Sequence, residues 1–591
     1  MLSSSKTSLR SVTRHARGAS TPQRQYASRP HPLASRVTPK GPVPAGTTPP
    51  ALRPKPQRFS PLTLVLLATL TGATTYALGR REATRGEVGN SPAGSYREPT
   101  RDGFNKAVAA LKQQLPEDCI AEDRDSLVAH GWNDWAAHGP TGLPGAIVYP
   151  RNTDDVVLIV KTASANGIPL IPFCAGTSLE GHTSALGYPG SVEALPEGQS
   201  SIVLDQLEPG LALVVDFAEN MNNIVAINRD DLDAVVQPGV SYDALNAELK
   251  EQGIPLFFPV DPAPGAQIGG MIGTGASGTN AVRYGTMREN VLNLTVVLPN
   301  GEVIKTRQRA KKSSVGPDLS RLFVGAEGTL GIVTEATLKL APLLPSTVAV
   351  SSFPSIQAAA DAARDLVQQG VSVACIELLD DVMMKCINKA NKTGRQWPEK
   401  PTLFLKFSGS QEQMKHDVTR TKKIAQSNSG SNFTFAKDDA DADQIWQSRK
   451  IALWSALDYQ PGARCWTTDV CVPLSKFPEL ITETKADIDK SGVVGPIVSH
   501  AGDGNFHALL LFSNDDELKK VEGIVHRMVE RAQRLDGTAT GEHGVGIGKK
   551  PYVESELGSG TVELLRRIKQ TIDPQGIMNP GKLIPNRSES R

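Results

Sequence analysis

The chain has 591 residues, 39% hydrophobic and 21% charged, which is enough apolar mass for large cores and too much chain for one ordinary domain. Its net charge of +1 averages two unlike parts: residues 1–81 hold 13 Lys and Arg and no acid, leaving 1 − 13 = −12 for the remainder, an acidic body that argues against nucleic acid as a partner. Six cysteines, with no C-x-x-C pair and no C-x-x-C-H, exclude a disulfide scaffold and attached haem.

The opening MLSSSKTSLRSVTRHARGAS is Ser- and Arg-rich and free of acids, the composition of a mitochondrial transit peptide. A Pro-rich tract from about Pro30 to Pro61 cannot build a core, so residues 1–60 are read as leader and linker. Pro61 to Gly79 carries no charge and is just long enough for the about 20 residues that a bilayer requires. It is expected to be a transmembrane anchor in the mitochondrial inner membrane. Eleven of the 13 basic residues precede it, which holds the N-terminus in the matrix and the folded body in the intermembrane space.

Residues 100–342 read as a first folded unit. AIVYP, DDVVLIVKTASANG and IPLIPF have a β-α-β rhythm, with Asn166-Gly167 suited to end the helix. The second strand runs into Phe173-Cys174-Ala175-Gly176-Thr177-Ser178, where small residues let backbone N–H groups approach a pyrophosphate. This is neither G-x-G-x-x-G nor a Walker loop, so NAD and ATP are not indicated. Ser241 is a suitable N-cap for YDALNAELKEQG. Five of the ten residues from Gly269 to Gly278 are glycine, an entropic cost that a flat cofactor against bare backbone would explain. Asn300-Gly301 reads as the turn of a hairpin.

The segments PFCAGTS, VVQPGV, DPAPGAQIGGMIGTGASG, RYGT and DLSRLFVGAEGTLGIVTEATLKL resemble the FAD-binding proteins of the vanillyl-alcohol-oxidase and p-cresol-methylhydroxylase type. The resemblance runs from about Arg101 to Ile584. It implies an α+β fold: a two-subdomain FAD-binding domain, an antiparallel-sheet substrate (cap) domain over 343–570, and a C-terminal return, 571–591, to the FAD domain. The implied FAD contacts are Cys174, Ala175, Gly176, Thr177, Ser178, Pro259, Asp261, Gly270, Thr274, Ala276, Ser277, Gly278, Arg283, Gly285, Glu327, Gly331, Ile332, Val333 and Asn579. Some relatives attach FAD covalently through a His in the first loop. Thr177 stands at that position here, so FAD is expected to be non-covalent, and His182 is read as structural. Cys174 stands where relatives often carry Gly.

The cap unit carries the ionisable groups. SVACIELLDD, PTLFLKFSG and CWTTDVCVP read as strands between amphipathic helices. In Ser499-His500-Ala501-Gly502-Asp503-Gly504-Asn505-Phe506-His507, apolar runs flank a Gly-Asp-Gly-Asn turn, and a hairpin there would bring two imidazoles together, a pair that suits Zn²⁺ or Mn²⁺. Glu542 of Gly541-Glu542-His543-Gly544 would add an oxygen ligand. These motifs resemble those of the D-2-hydroxy-acid dehydrogenases. That resemblance implies His500, His507 and Glu542 as metal ligands, His543 as base, and a substrate set of Arg449, Arg464 and Asn505. Trp446-Gln447-Ser448-Arg449 is similar to a W-x-x-R helix start whose Arg forks onto the substrate carboxylate. Thr468 to Pro473 is closer to the D-lactate members than to the hydroxyglutarate ones. With no haem motif the electron acceptor is external, and an acidic body in the intermembrane space points to cytochrome c, reached by steering. The same fold class includes alkyl-dihydroxyacetone-phosphate synthase, a transferase without net oxidation. A zinc hydrolase on the two His and Glu542 is the reading without flavin.

Overall fold

The computed structural model describes residues 98–131, 133, 136–138, 142–185 and 207–586. The expected leader, linker and anchor lie outside the described residues. No helix among the described residues is long and apolar enough to cross a membrane.

The first subdomain is a four-stranded sheet of β1 (Ile120–Ala121), β2 (Ala146–Val148), β3 (Leu170–Phe173) and β4 (Leu213–Asp216), in the order β1-β2-β4-β3. The strands of the β-α-β unit, β2 and β3, are not neighbours: β4 lies between them, parallel to both. The connecting helix, Thr153–Asn166, starts where the Asn152 side chain accepts from Asp155 N and stops at Gly167, whose φ of +66° suits a residue without Cβ. Its Val156, Ile159, Val160 and Ala163 are buried, the spacing of one helix face. The flavin loop therefore starts at the carboxyl end of β3, where ligands of open parallel sheets are bound.

The second subdomain begins with β5 (Ile224–Asn228) and β6 (Asp233–Val236). After β7 (Leu256–Phe257) come β8 (Val291–Val297), β9 (Val303–Lys305), β10 (Ile332–Lys339) and β11 (Ala341–Pro342). Five of these form an antiparallel sheet in the order β5-β6-β10-β8-β9, while β7 pairs with β11. Gly301, at φ +79°, closes the β8–β9 hairpin at the expected Asn300-Gly301 turn. The Ser241 side chain caps Tyr242–Glu251 by accepting from Ala244 N. The glycine-rich run is a short helix, Ile268–Thr274, ended by Gly275 in the left-handed region, rather than an open loop.

The cap has β12 (Ser346–Ser352), β13 (Cys375–Leu379), β14 (Thr402–Ser408), β15 (Ser431–Phe435), β16 (Arg464–Thr467), β17 (Val470–Cys471), β18 (Ile497–His500) and β19 (Asn505–Phe512). They form one antiparallel sheet in the order β15-β12-β14-β13-β18-β19-β16, with β17 also on β19. Side chains alternate between its two faces. Ile376, Leu378, Ala508 and Leu510 pack against helices Ile356–Gln368, Phe477–Ser491 and Asp515–Arg534. The last helix buries Val521, Ile524, Val525, Met528 and Val529, where each large aliphatic side chain contributes about 1.5–3 kcal/mol. Cys375, Leu379, Val498 and Leu509 belong to the other face, with helices Asp381–Ala390, Asp439–Lys450 and Ala452–Tyr459. Parity puts Glu377, His500 and His507 on this second face. The chain then returns beside β3, with Leu170 N donating to Ile577 O and Asn579 N to Leu170 O.

Candidate active site

A cavity of about 730 Å³ is lined at one end by residues 174–179 and the glycine-rich helix, and at the other by His500, His507, Glu542, His543 and Arg449. Four of the five glycines of the run line the cavity, and they differ in the room beside them. A Cβ on Gly269 or Gly278 would collide with Pro238 at 2.7 Å or Asp261 at 2.6 Å, so these two are bare for packing. A Cβ on Gly270 or Gly273 would meet no atom of another element closer than 3.8 Å among the described residues. Their missing side chains leave room for a ligand, as a flat flavin requires. Cys174 packs its thiol against this helix, and burial pushes that thiol up to about 12, so it stays neutral.

At the other end, β18 and β19 pair with His500 opposite Asn505 and Val498 opposite His507. The two histidines are thus diagonal neighbours on one face, with ring centroids 5.4 Å apart. Glu542 Oε1 lies 3.2 Å from His500 Nε2 and 3.1 Å from His507 Nε2. One ligand atom from each of the three falls within 4.8 Å of the others. Both Nδ1 atoms are engaged elsewhere, His500 with Glu377 Oε1 and His507 with Thr468 O, each at 2.9 Å. This leaves both Nε2 atoms for an ion, the usual outer support of a ligating His. Glu542 Oε2 is buried without a hydrogen-bond partner among the described residues. The donor set therefore fits a divalent cation such as Zn²⁺ or Mn²⁺. Burial pushes His500 down, but the Glu377 and Glu542 charges outweigh it and raise the imidazole well above its ordinary value. Burial opposes ionisation of Glu542 too, and His500 and His507 hold it well below the usual carboxylate range.

His543 stacks on His507 at 4.8 Å between centroids, and burial lowers it below the ordinary imidazole value. Its loop hangs on two carboxylates. Asp469 Oδ2 accepts from Thr540 Oγ1 and from the backbone N–H of Gly541, Glu542 and His543, at 2.7–2.9 Å. Glu327 accepts from Val545 N at 2.6 Å and Gly546 N at 2.9 Å. Asp469 of the cap and Glu327 of the FAD domain thus hold, from two sides, the loop that carries the site's glutamate and histidine.

Two models of known families match: FAD linked oxidases, C-terminal domain, over residues 345–583, and FAD binding domain over residues 190–307. The mitochondrial D-lactate dehydrogenase [cytochrome] of Kluyveromyces lactis is 43% identical over 82% of this chain and 82% of its own. The chain belongs to the FAD-linked oxidases. Mitochondrial D-lactate dehydrogenase [cytochrome] 1 of Saccharomyces cerevisiae is 45% identical over 81% of this chain and 80% of its own. Among solved structures, p-cresol methylhydroxylase with substrate bound superposes with a TM-score of 0.63 at 18% identity, over 82% of this chain and 97% of that one, a likeness of fold.

For this FAD-linked oxidase, most residues expected at the flavin line the cavity: the five from Cys174 to Ser178, Asp261, Gly270, Thr274, Ala276, Ser277, Gly278, Glu327, Gly331, Ile332, Val333 and Asn579. Pro259, Arg283 and Gly285 are not in the lining. Pro259 O accepts from Asn280 Nδ2, Arg283 Nη1 donates across to Ser408 O of the cap, and Gly285 closes a turn at φ +75°. Arg449 lines the cavity, but from the last turn of Asp439–Lys450, not from a helix start. Its Nε and Nη2 both reach Glu377 Oε2 at 2.7 Å. Arg464 and Asn505 are not in the lining either. Arg464 donates to Ala137 O and lies over the Phe512 ring, and Asn505 donates to Asp469 Oδ1 and Val470 O.

Sequence reasoning missed Glu377 and Asp469 as parts of the site. Glu377 stands directly opposite His500 across the β13–β18 pair, which a strand alignment could have revealed. Asp469 gave no local signal of its contact with residues 540–543. His182, read as structural, also lines the cavity. The six cysteines are free.

Proposed function

We propose that this chain oxidises D-lactate to pyruvate with non-covalently held FAD and passes the electrons to cytochrome c, in line with its likeness to the mitochondrial D-lactate dehydrogenases [cytochrome]. The reading is carried by one observation: a His-His-Glu cation set and a buried histidine share a cavity with the flavin loop. FAD, when bound, would supply the acceptor for the α-hydrogen and its electron pair, and His500, His507 and Glu542 would hold a Zn²⁺ or Mn²⁺ that would supply Lewis acidity. Arg449 binds the carboxylate, its guanidinium held edge-on by Glu377. His543 accepts the hydroxyl proton as general base. Cap and FAD domain enclose the reacting carbon and hold these groups in one orientation.

D-lactate, added without oxygen to the purified yellow protein, should bleach the flavin absorbance, and L-lactate should leave it unchanged. Bleaching by neither, with flavin bound, would rule out D-lactate and turn the search to other D-2-hydroxy acids. A second reading, D-2-hydroxyglutarate, is favoured by Lys406 and Lys450 in the cavity lining, cations that suit a second carboxylate. The non-covalent attachment rests on Thr177, which cannot take the place of an attaching histidine. Acid precipitation should leave the flavin in the supernatant, and flavin carried down with the protein would contradict it. The body is further proposed to be anchored to the inner membrane through residues 61–79 and to face the intermembrane space.

A further inference from the structure

His182 has no part in the chemistry above, yet its position suits contact with the flavin. It follows Gly181, which turns the chain at φ +71°, and it lines the cavity while only 6% exposed. Neither Nδ1 nor Nε2 has a hydrogen-bond partner among the described residues. Glu327 Oε1 lies 3.3 Å from Nε2, an ion-pair contact behind the ring, and the Val545 and Gly546 N–H groups fix that carboxylate in place. The backbone is pinned, because Asn579 Nδ2 donates to His182 O at 3.1 Å and to Glu327 O at 2.8 Å. The ring is thus held in place without being satisfied. Buried polar side chains are bonded in nearly all folded proteins, and Nδ1, with no hydrogen bond or ion-pair partner among the described residues in a side chain that lines the cavity, points to a missing ligand.

The position in the cavity says which part of the ligand this is. A Cβ on Gly544 would come within 2.6 Å of His182 Nε2, so the imidazole sits against the residue that follows His543. The ring system of FAD has to lie near His543 for hydrogen to leave the substrate, whereas adenine and pyrophosphate do not. Its pyrimidine edge alternates carbonyl oxygens and ring nitrogens, the donors and acceptors that an imidazole can meet. We propose that His182 is a flavin ligand that bonds this polar edge and, backed by Glu327, stabilises the negative charge that reduction places there. The proposal rests on the FAD reading above and adds a specific residue and a redox consequence to it.

Sulfite provides a test independent of turnover, because its addition to a flavin depends on stabilising the same charge. In the purified holoprotein, His182→Leu should weaken sulfite binding by roughly tenfold or more, the effect of one lost charge-assisted bond, and lower the flavin midpoint potential. His182→Gln, which keeps a donor and an acceptor, should retain part of both. The melting temperature of the apoprotein should hold or rise in His182→Leu, since an unsatisfied buried ring is removed. Unchanged sulfite affinity and potential in a His182→Leu protein that still holds FAD would overturn the proposal. If His182→Leu lost FAD with its apoprotein melting intact, a ligand role would be supported. If it failed to fold, the sulfite affinity of His182→Gln would decide: a value between wild type and none supports the contact, a wild-type value overturns it. Failure of the FAD reading itself would be distinct, because the unaltered protein would then carry no flavin.

Discussion

Three consecutive backbone N–H groups, those of Gly541, Glu542 and His543, converge on the one oxygen Asp469 Oδ2. Burial would raise this carboxyl, but the neighbouring His543 and His507 and the loop's own N–H groups outweigh it and hold it down to about 2. The charge is therefore permanent, and it orients both the glutamate that completes the cation set and the histidine stacked on His507. His543→Ala should lower kcat by about 10²–10⁴, the typical contribution of a general base, while FAD content and metal content stay as in the wild type. Turnover that survived the change would place the base elsewhere. At this scale the motif residues were legible and their partners were not. His500, His507, Glu542 and His543 stand in short, unusual words of sequence. Glu377 and Asp469 are ordinary acids until the fold brings each of them to a partner 70 or more positions away.

Among the elements, the helix Asp381–Ala390 illustrates how the cap face beneath the site is built. Its N-cap, Asp380, is fully buried, and its Oδ1 accepts from Met383 N at 2.7 Å and from Ile497 N at 3.1 Å, tying the helix to β18 next to His500. Lys485 Nζ lies 3.9 Å from Oδ2, and Asp381 adds a second acid nearby. Burial pushes the Asp380 carboxyl up to about 7 in spite of its N–H donors and Lys485. The folded protein therefore holds this proton more tightly than the unfolded chain, so the contribution of Asp380 to stability is fully present below about pH 4 and is lost as pH rises to about 7, by up to about 1.4 kcal/mol per pH unit for one proton. Asp380→Asn keeps a good N-cap and removes the charge. Melting temperatures measured across that window should lose this slope, and the variant should match or exceed the wild type above pH 7. An unchanged slope would show that Asp380 is not the group responsible.

For the whole molecule, the division of charge matters more than its sum. The body beyond residue 81 carries −12, so encounter with a basic cytochrome c should be steered and salt-sensitive. The second-order rate of cytochrome c reduction should fall steeply as salt rises towards physiological strength, where the screening length is about 8 Å. A flat response would favour a neutral acceptor. Orientation can be read separately: protease added to mitoplasts with an intact matrix should digest the body, and protection would place it on the matrix side.

Periodicity, turn residues and glycine runs are local signals, and from them the sequence alone determined the strand–helix–strand entry, the Asn300-Gly301 hairpin, the strand-rich cap and the words that carry its histidines. The order of the first sheet was decided by tertiary structure, because β4 enters between β2 and β3 from more than 40 residues downstream. So were the crowding of Gly269 and Gly278 as against the open space beside Gly270 and Gly273, the absence of Arg464 and Asn505 from the cavity lining, and the unbonded Nδ1 of His182 among the described residues. Each of these depends on which distant backbone comes within a hydrogen bond or a van der Waals contact. That is set by tertiary packing within each domain and between them, which local periodicity does not record.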